Sequence, residues 1–154
     1  MRILSLEHIS ARGELGSRAS LLFGRLEAPM YRPDQIFSKE AENGGWAGDW
    51  EGRTLLADIL LMEITGKYPS YLDEILEELP SHFNSQGYLG TILPADEFDE
   101  PQLAGHSWLL RALCEYYECT HRPEVMEQLS VLVKNLYLPA QKAYRAYPGR
   151  STIC

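Results

Sequence analysis

Two clusters of side chains in this sequence could hold a sugar. Trp46, Asp49, Trp50 and Glu51 crowd into the glycine-rich stretch Asn43-Gly44-Gly45-Trp46-Ala47-Gly48-Asp49-Trp50-Glu51-Gly52, with Arg53 directly after it, and Gln102, His106 and Trp108 form the second cluster. Tyr88 lies between them in Gln86-Gly87-Tyr88-Leu89-Gly90. A tryptophan face packs on the apolar C–H face of a sugar ring, while carboxylates, imidazole and amide bond its hydroxyls. Each residue also has a plainer reading. A tryptophan after a glycine can be core packing, and Asp49 can be the N-cap of a helix that begins at Trp50. A histidine on an apolar helix is commonly a satisfied core residue, and the acidic run Asp96–Glu100 reads as a solvated face. His8, His82 and His121 show no partner pattern and read as surface residues.

The elements that must position these clusters are visible as a duplication. Gly-Arg-Thr-Leu-Leu-Ala-Asp-Ile-Leu-Leu-Met-Glu-Ile-Thr (52–65) is nearly all apolar, and an amphipathic segment follows at Tyr71 to Leu79. Gly-His-Ser-Trp-Leu-Leu-Arg-Ala-Leu-Cys-Glu-Tyr-Tyr-Glu-Cys-Thr (105–120) repeats the first, and Pro123 to Leu138 repeats the second. Gly52 and Gly105 are 53 residues apart, and Leu56 and Leu60 fall on Leu109 and Leu113 at the same offset. A repeat of this length marks an array of helical hairpins. Between Thr54 and Ile64 only Thr54, Asp58 and Glu63 are polar, so that helix must be covered on most sides. Tyr71, Leu72, Ile75, Leu76 and Leu79 form one stripe, and Val125, Met126, Leu129, Leu132, Val133 and Leu136 another. The spacing predicts inner helices near 52–65 and 105–120 and outer helices near 70–80 and 123–137. A first helix is expected from Glu14 to about Ala28, with Leu15, Ala19, Leu22, Phe23 and Leu26 on one face and Pro29 and Pro33 ending it. Two concentric helix layers are the architecture of an α/α toroid, although the duplication alone suits a helical solenoid as well. In a toroid the loops that open the inner helices share one end, which would bring the two clusters together.

Composition bounds the function. The 154 residues carry a net charge of −8 and are 45% hydrophobic, enough for one domain spanning 1–154 with a sizeable core and no linker. No basic face exists for nucleic acid. The first 15 residues hold no apolar run long enough for a signal peptide, and nothing approaches the roughly 18 apolar residues of a membrane span. A cytoplasmic protein without membrane or nucleic-acid partners is expected. Cys114, Cys119 and Cys154 are odd in number and lack CxxC spacing, so neither a disulfide framework nor a metal site is expected. Cys114 and Cys119 read as inert core thiols of the second apolar helix.

Gly-Gly-Trp-Ala-Gly-Asp-Trp-Glu-Gly-Arg (44–53), Gln-Gly-Tyr-Leu-Gly (86–90) and Gln-Leu-Ala-Gly-His-Ser-Trp-Leu-Leu-Arg-Ala-Leu-Cys-Glu-Tyr-Tyr (102–117) resemble the β-L-arabinofuranosidase-like glycoside hydrolases, family 127 and its relatives. The likeness covers roughly residues 13 to 148. It implies an (α/α)6 barrel of the six-hairpin glycosidase type followed by β-sandwich domains, with hydrolysis of a terminal sugar, in carbohydrate metabolism, at the barrel mouth with retention of configuration. Of the positions that contact sugar in that family, His106 is matched directly. Tyr88 and the 46–53 loop match segments lining the pocket. Trp46, Asp49, Glu51, Arg53, Tyr88, Gln102 and His106 are therefore the expected substrate-binding residues.

The departures are as informative. Characterised members use a cysteine nucleophile bound to zinc with other cysteines and a glutamate, and a second glutamate as acid/base. Nothing here matches them, so no catalytic residue and no cofactor is assigned to this chain, zinc being implied only for a full-length parent. Six hairpins at this repeat need roughly 318 residues. The chain reads as the N-terminal portion of such a toroid, inactive by itself and prone to self-association through uncovered apolar flanks. Two other classes stay open: a non-enzymatic helical-repeat binding module, and part of another toroid enzyme such as an epimerase or polysaccharide lyase.

Overall fold

A computed structural model describes residues 11–38, 46–94 and 97–145. The expectations placed on His8, Asn43 to Gly45, Asp96 and Cys154 fall outside these. The described residues are all helical, with no strand. The helices are α1 (Gly13–Leu26), α2 (Pro33–Ser38), α3 (Asp49–Thr65), α4 (Leu72–Glu78), α5 (Glu100–Thr120), α6 (Pro123–Leu132) and α7 (Leu138–Arg145). Among them none is long and apolar enough to cross a membrane.

Helix α3 lies between α1 and α5, with α2 and α4 also packed on it, while α6 packs on α5. This accounts for its apolar sequence: Leu55 and Ile59 are fully buried, and Thr54, Leu56 and Asp58 nearly so. Gly48 in the left-handed region (φ 86°) precedes the helix, and Gly66 (φ 68°) closes it by donating its N–H to Met62 O. The outer helices show the expected stripes. Leu72, Ile75 and Leu79 are fully buried with Asp73, Glu74 and Glu77 in solvent, and Val125, Leu129, Leu132 and Leu136 are buried on the second. Met126, expected in that stripe, is exposed. The second outer segment is also not one regular helix. A π turn over Val133–Tyr137 joins α6 to α7, and the inserted residue keeps Leu132, Leu136 and Ala140 on the core side.

The glycines that mark the duplication sit where α3 and α5 approach most closely. A Cβ added to Gly52 would overlap Leu109 N and lie 2.6 Å from the Trp108 carbonyl carbon, and one on Gly105 would overlap Ala47 O and lie 2.9 Å from Trp46 O. Gly48 faces His106, Gly52 faces Leu109, and Glu63 meets Cys119, so residue numbers rise together and the two helices run parallel. Helix α1 brings its C-terminal end to that of α3, where Lys67 Nζ lies 5.5 Å from the Phe23 ring and Ser70 N–H donates to Glu27.

The expected apolar face of α1 is only partly used. Ala19 is buried, whereas Leu15 and Leu22 are exposed. Cys114 and Cys119, expected in the core, are exposed as well, because α5 is covered by α3 on one side and α6 on another and leaves its remaining face to solvent.

Candidate functional site

The turn Trp46 to Gly48 opens α3, and residues 97–99 open α5, with the 84–91 loop held against that end. Both lie at the same end of the parallel pair, since Ala47 and Gly48 pack against Gly105 and His106. Here Asp49, Arg53 and Trp108 come together. Asp49 and Arg53 are one helical turn apart, and Arg53 Nε donates to both Asp49 carboxylate oxygens at 2.9 and 3.0 Å. The same guanidinium lies 4.3 Å from the Trp108 ring centroid, a cation–π contact across the two helices. Arg53 remains 53% exposed as a side chain, so this cation, carboxylate and indole form a ledge open to solvent. Asp49 is not the N-cap of α3; that place is taken by Gly48. Trp46 is half-buried at the head of the turn, and its carbonyl accepts the Asp49 N–H. Trp50 turns elsewhere and stacks on Tyr31 at 5.6 Å.

His106 does not join the ledge. It is fully buried, with Nε2 accepting the Leu89 N–H at 3.1 Å and Nδ1 bonded to Gln102 O at 2.8 Å. A neutral ring protonated on Nδ1 satisfies both bonds. Burial pushes its pKa down to about 4, against the opposing pull of the Gln102 and Ala47 carbonyls. With both nitrogens held by main chain, the imidazole pins the 86–90 loop to α5, and the architectural reading is the one this geometry favours over a sugar contact. The 53-residue offset misleads here for a simple reason. Parallel helices that face each other through Gly52 and Gly105 turn the next residue, about 100° on, towards opposite sides. Arg53 therefore reaches solvent while His106 enters the interior.

Gln102 is likewise committed. Its Oε1 accepts the Thr91 N–H and its Nε2 donates to Thr91 O, each at 3.0 Å. Glu51 is fully enclosed at the start of α3 and presents no carboxylate to solvent. The loop's other anchor, Asn84, went unrecognised in the sequence. Its Oδ1 accepts the Gln86 N–H at 2.9 Å and its Nδ2 donates to Gly90 O at 3.0 Å. The signal was an asparagine three residues before a turn glycine, Gly87, which adopts φ 82°. Asn84→Ala is expected to lower unfolding free energy by about 1–2 kcal/mol, measured by urea denaturation. An unchanged midpoint would show that the loop holds without this anchor.

Tyr88 lines a separate cavity of about 270 Å³ near the π turn, shared with Gln86, Phe98, Asp99, Gln102 and Asn135. Asp99, read as part of a solvated acidic run, caps α5 by accepting the Gln102 N–H at 3.2 Å. At the opposite end of the helices, the Cys119 thiol donates to Glu63 Oε1 at 2.9 Å. Although the residue is exposed, partial desolvation of the thiol and that bond push its pKa up to about 12, so it stays protonated. Asp58 is 3% exposed, and burial and then the nearby Glu27 raise it to about 7. No cluster of three or more His, Cys, Asp or Glu suited to a metal occurs among the described residues.

The expected sugar-binding group is thus divided: Asp49 and Arg53 on the ledge with Trp108, Trp46 half-buried in the turn before it, Tyr88 and Gln102 at the cavity, Glu51 and His106 in the interior. Compared with protein families, curated proteins and solved structures, the chain matches none.

Proposed function

We propose that this chain is the N-terminal part of an α/α toroid in a glycoside hydrolase of the β-L-arabinofuranosidase-like kind, and that its contribution is to bind sugar. The observation that carries this is the Asp49–Arg53–Trp108 ledge at the end where the loops opening α3 and α5 meet. Two packed helix pairs in order, α3–α4 and α5–α6, support the toroid, with α3 flanked by α1 and α5. On the ledge, Arg53 is tied to Asp49 through Nε, and its Nη groups are donors for sugar hydroxyls. One indole face is covered by the Arg53 guanidinium, so the sugar's C–H face packs on the part of the half-buried ring left open.

The reaction needs two further groups. Cleaving a glycosidic bond takes an acid and a nucleophile or base on either side of it. Here Glu51 is enclosed and Asp49 is engaged by Arg53. The 154-residue chain is expected to show no turnover of an aryl β-L-arabinofuranoside above the uncatalysed rate. Turnover that disappears in Glu51→Gln would overturn this.

Binding is tested by titrating the chain with methyl β-L-arabinofuranoside while following tryptophan fluorescence and indole NMR resonances. Saturable change at Trp108, lost in Arg53→Ala and kept in Tyr88→Phe, is the expected result. No saturable change at millimolar sugar, or a response lost in Tyr88→Phe alone, would count against the ledge.

A further inference from the structure

We infer that the groove between α4 and α6 binds a linear alkyl diamine, its two ammonium groups held by carboxylates on the two walls and its methylene chain lying over Tyr116. The groove has a volume of about 260 Å³ and lies towards the C-terminal end of α5, away from the Asp49–Arg53–Trp108 ledge, so it does not depend on the sugar reading. It runs between two helix pairs, α3–α4 and α5–α6, that both fall within the described residues. Helix pairs added beyond α6 in a longer toroid would stand beside α5 and α6 and leave the space between α4 and α6 as it is.

Tyr116, from α5, is 2% exposed, yet among the described residues its hydroxyl has no hydrogen-bond partner and is not sealed in the interior. A buried phenol ordinarily finds a partner; this one opens onto the groove. Burial pushes its pKa up, with Arg122 opposing the rise and Asp73 and Glu124 adding to it. The hydroxyl therefore stays neutral, with a lone pair free to accept an N–H. Asp73 and Glu77, one turn apart on α4, stand on one wall and Glu124 on the other. Asp73 accepts the Tyr68 hydroxyl at 2.6 Å through one carboxylate oxygen, leaving the second, and neither Glu77 nor Glu124 is in an ion pair among the described residues. Arg122 is not paired with an acid among them either; its guanidinium lies 5.7 Å from the Tyr116 ring centroid. Three carboxylates against this one cation leave a net charge of −2, which two ammonium groups neutralise. A metal ion needs oxygens that converge to about 2.0–2.6 Å, and no such group of acids occurs among the described residues. Ammonium groups joined by methylenes can instead reach carboxylates that stand apart, and Leu76 and Val125 offer the methylenes an apolar surface.

Isothermal titration calorimetry of the whole chain with 1,4-diaminobutane at low ionic strength should show one saturable site, with butylamine about tenfold weaker or more. Glu77→Gln and Glu124→Gln should each weaken diamine binding about tenfold, the loss of one charge-assisted contact. Tyr116→Phe should weaken it about fivefold without lowering the denaturation midpoint, because the hydroxyl leaves no partner behind. Arg122→Gln should tighten binding, since it removes the one like charge. Glu14→Gln, which removes an acid from α1 on the far side of α3, should change nothing. The proposal is overturned by the absence of saturable heat at millimolar diamine, or by butylamine binding as tightly. Weakening by Glu14→Gln equal to that by Glu124→Gln would reduce the binding to diffuse attraction for an acidic chain, and an unchanged affinity in Tyr116→Phe would remove the groove from it. Displacement of the diamine by an equal concentration of Ca²⁺ would make this an inorganic cation site instead.

Discussion

Replacing Gly52 by alanine is expected to destabilise the protein by about 3 kcal/mol or more, the upper end of what overpacking does, although alanine is the better helix former by about 1 kcal/mol. Which effect wins depends on what the new methyl meets. At Gly52 it meets the α5 main chain at Leu109 and Trp108, and no side chain there can rotate away. The helix as a whole must retreat, loosening the contact of α3 with α5 along which Leu55, Ile59, Leu109 and Leu113 are fully buried. Gly24 in α1 is the matched control, because a Cβ there has nothing within 4 Å. Gly24→Ala should therefore raise stability by about 0.5–1 kcal/mol. Urea denaturation of both variants reads the difference in sign. If Gly52→Ala gains stability as Gly24→Ala does, the two helices are not held at the separation described.

How much of this was legible follows from the kind of information each feature needs. The apolar α3 and the striped α4 and α6 were readable because periodicity reports how many sides of a helix are covered. The start of α5 was misplaced by five residues: Asp99 as cap and Pro101 in the first turn are a helix-start pattern, but they sit in a run whose acidity suggested solvent. The π turn at Val133–Tyr137 was not readable from a 3.6-residue period, which the inserted residue breaks. At the site, Asp49 and Arg53 are a local pair one helical turn apart that the reading of Asp49 as a cap hid, while the approach of Arg53 to Trp108 needed the distance between helices. His106 shows the boundary most clearly. It lies seven residues into α5, and its direction depended on which way Gly105 faces, about which a linear offset carries no information.

The largest effect of pH is expected to come from two buried groups that oppose each other. His106 has its pKa lowered by burial from 6.5 to about 4. Between those values the unfolded chain takes up a proton that the folded chain refuses, so this group's stability is full above 6.5 and is lost as pH falls through about 4, by about 3 kcal/mol in all. Asp58 is raised from 3.8 to about 7, first by burial and then by Glu27. Here the folded chain keeps the proton, so the contribution is full below 3.8 and is lost as pH rises through about 7, by about 4 kcal/mol. Over the shared interval the slopes have opposite sign and nearly cancel, so the unaltered chain should show almost flat stability there. Asp58→Asn should expose the histidine: stability rises with pH up to about 6.5, and at pH 8 the variant exceeds the unaltered chain by up to about 4 kcal/mol. His106→Gln should show the reverse slope, falling as pH rises towards 7. Glu27→Gln should shift the Asp58 midpoint downwards, since one carboxylate near Asp58 is removed. Denaturation midpoints at pH 4.5, 6 and 8 for the four proteins are sufficient to decide. Profiles for Asp58→Asn and His106→Gln that run parallel to the unaltered chain would show that neither group is buried as its surroundings imply.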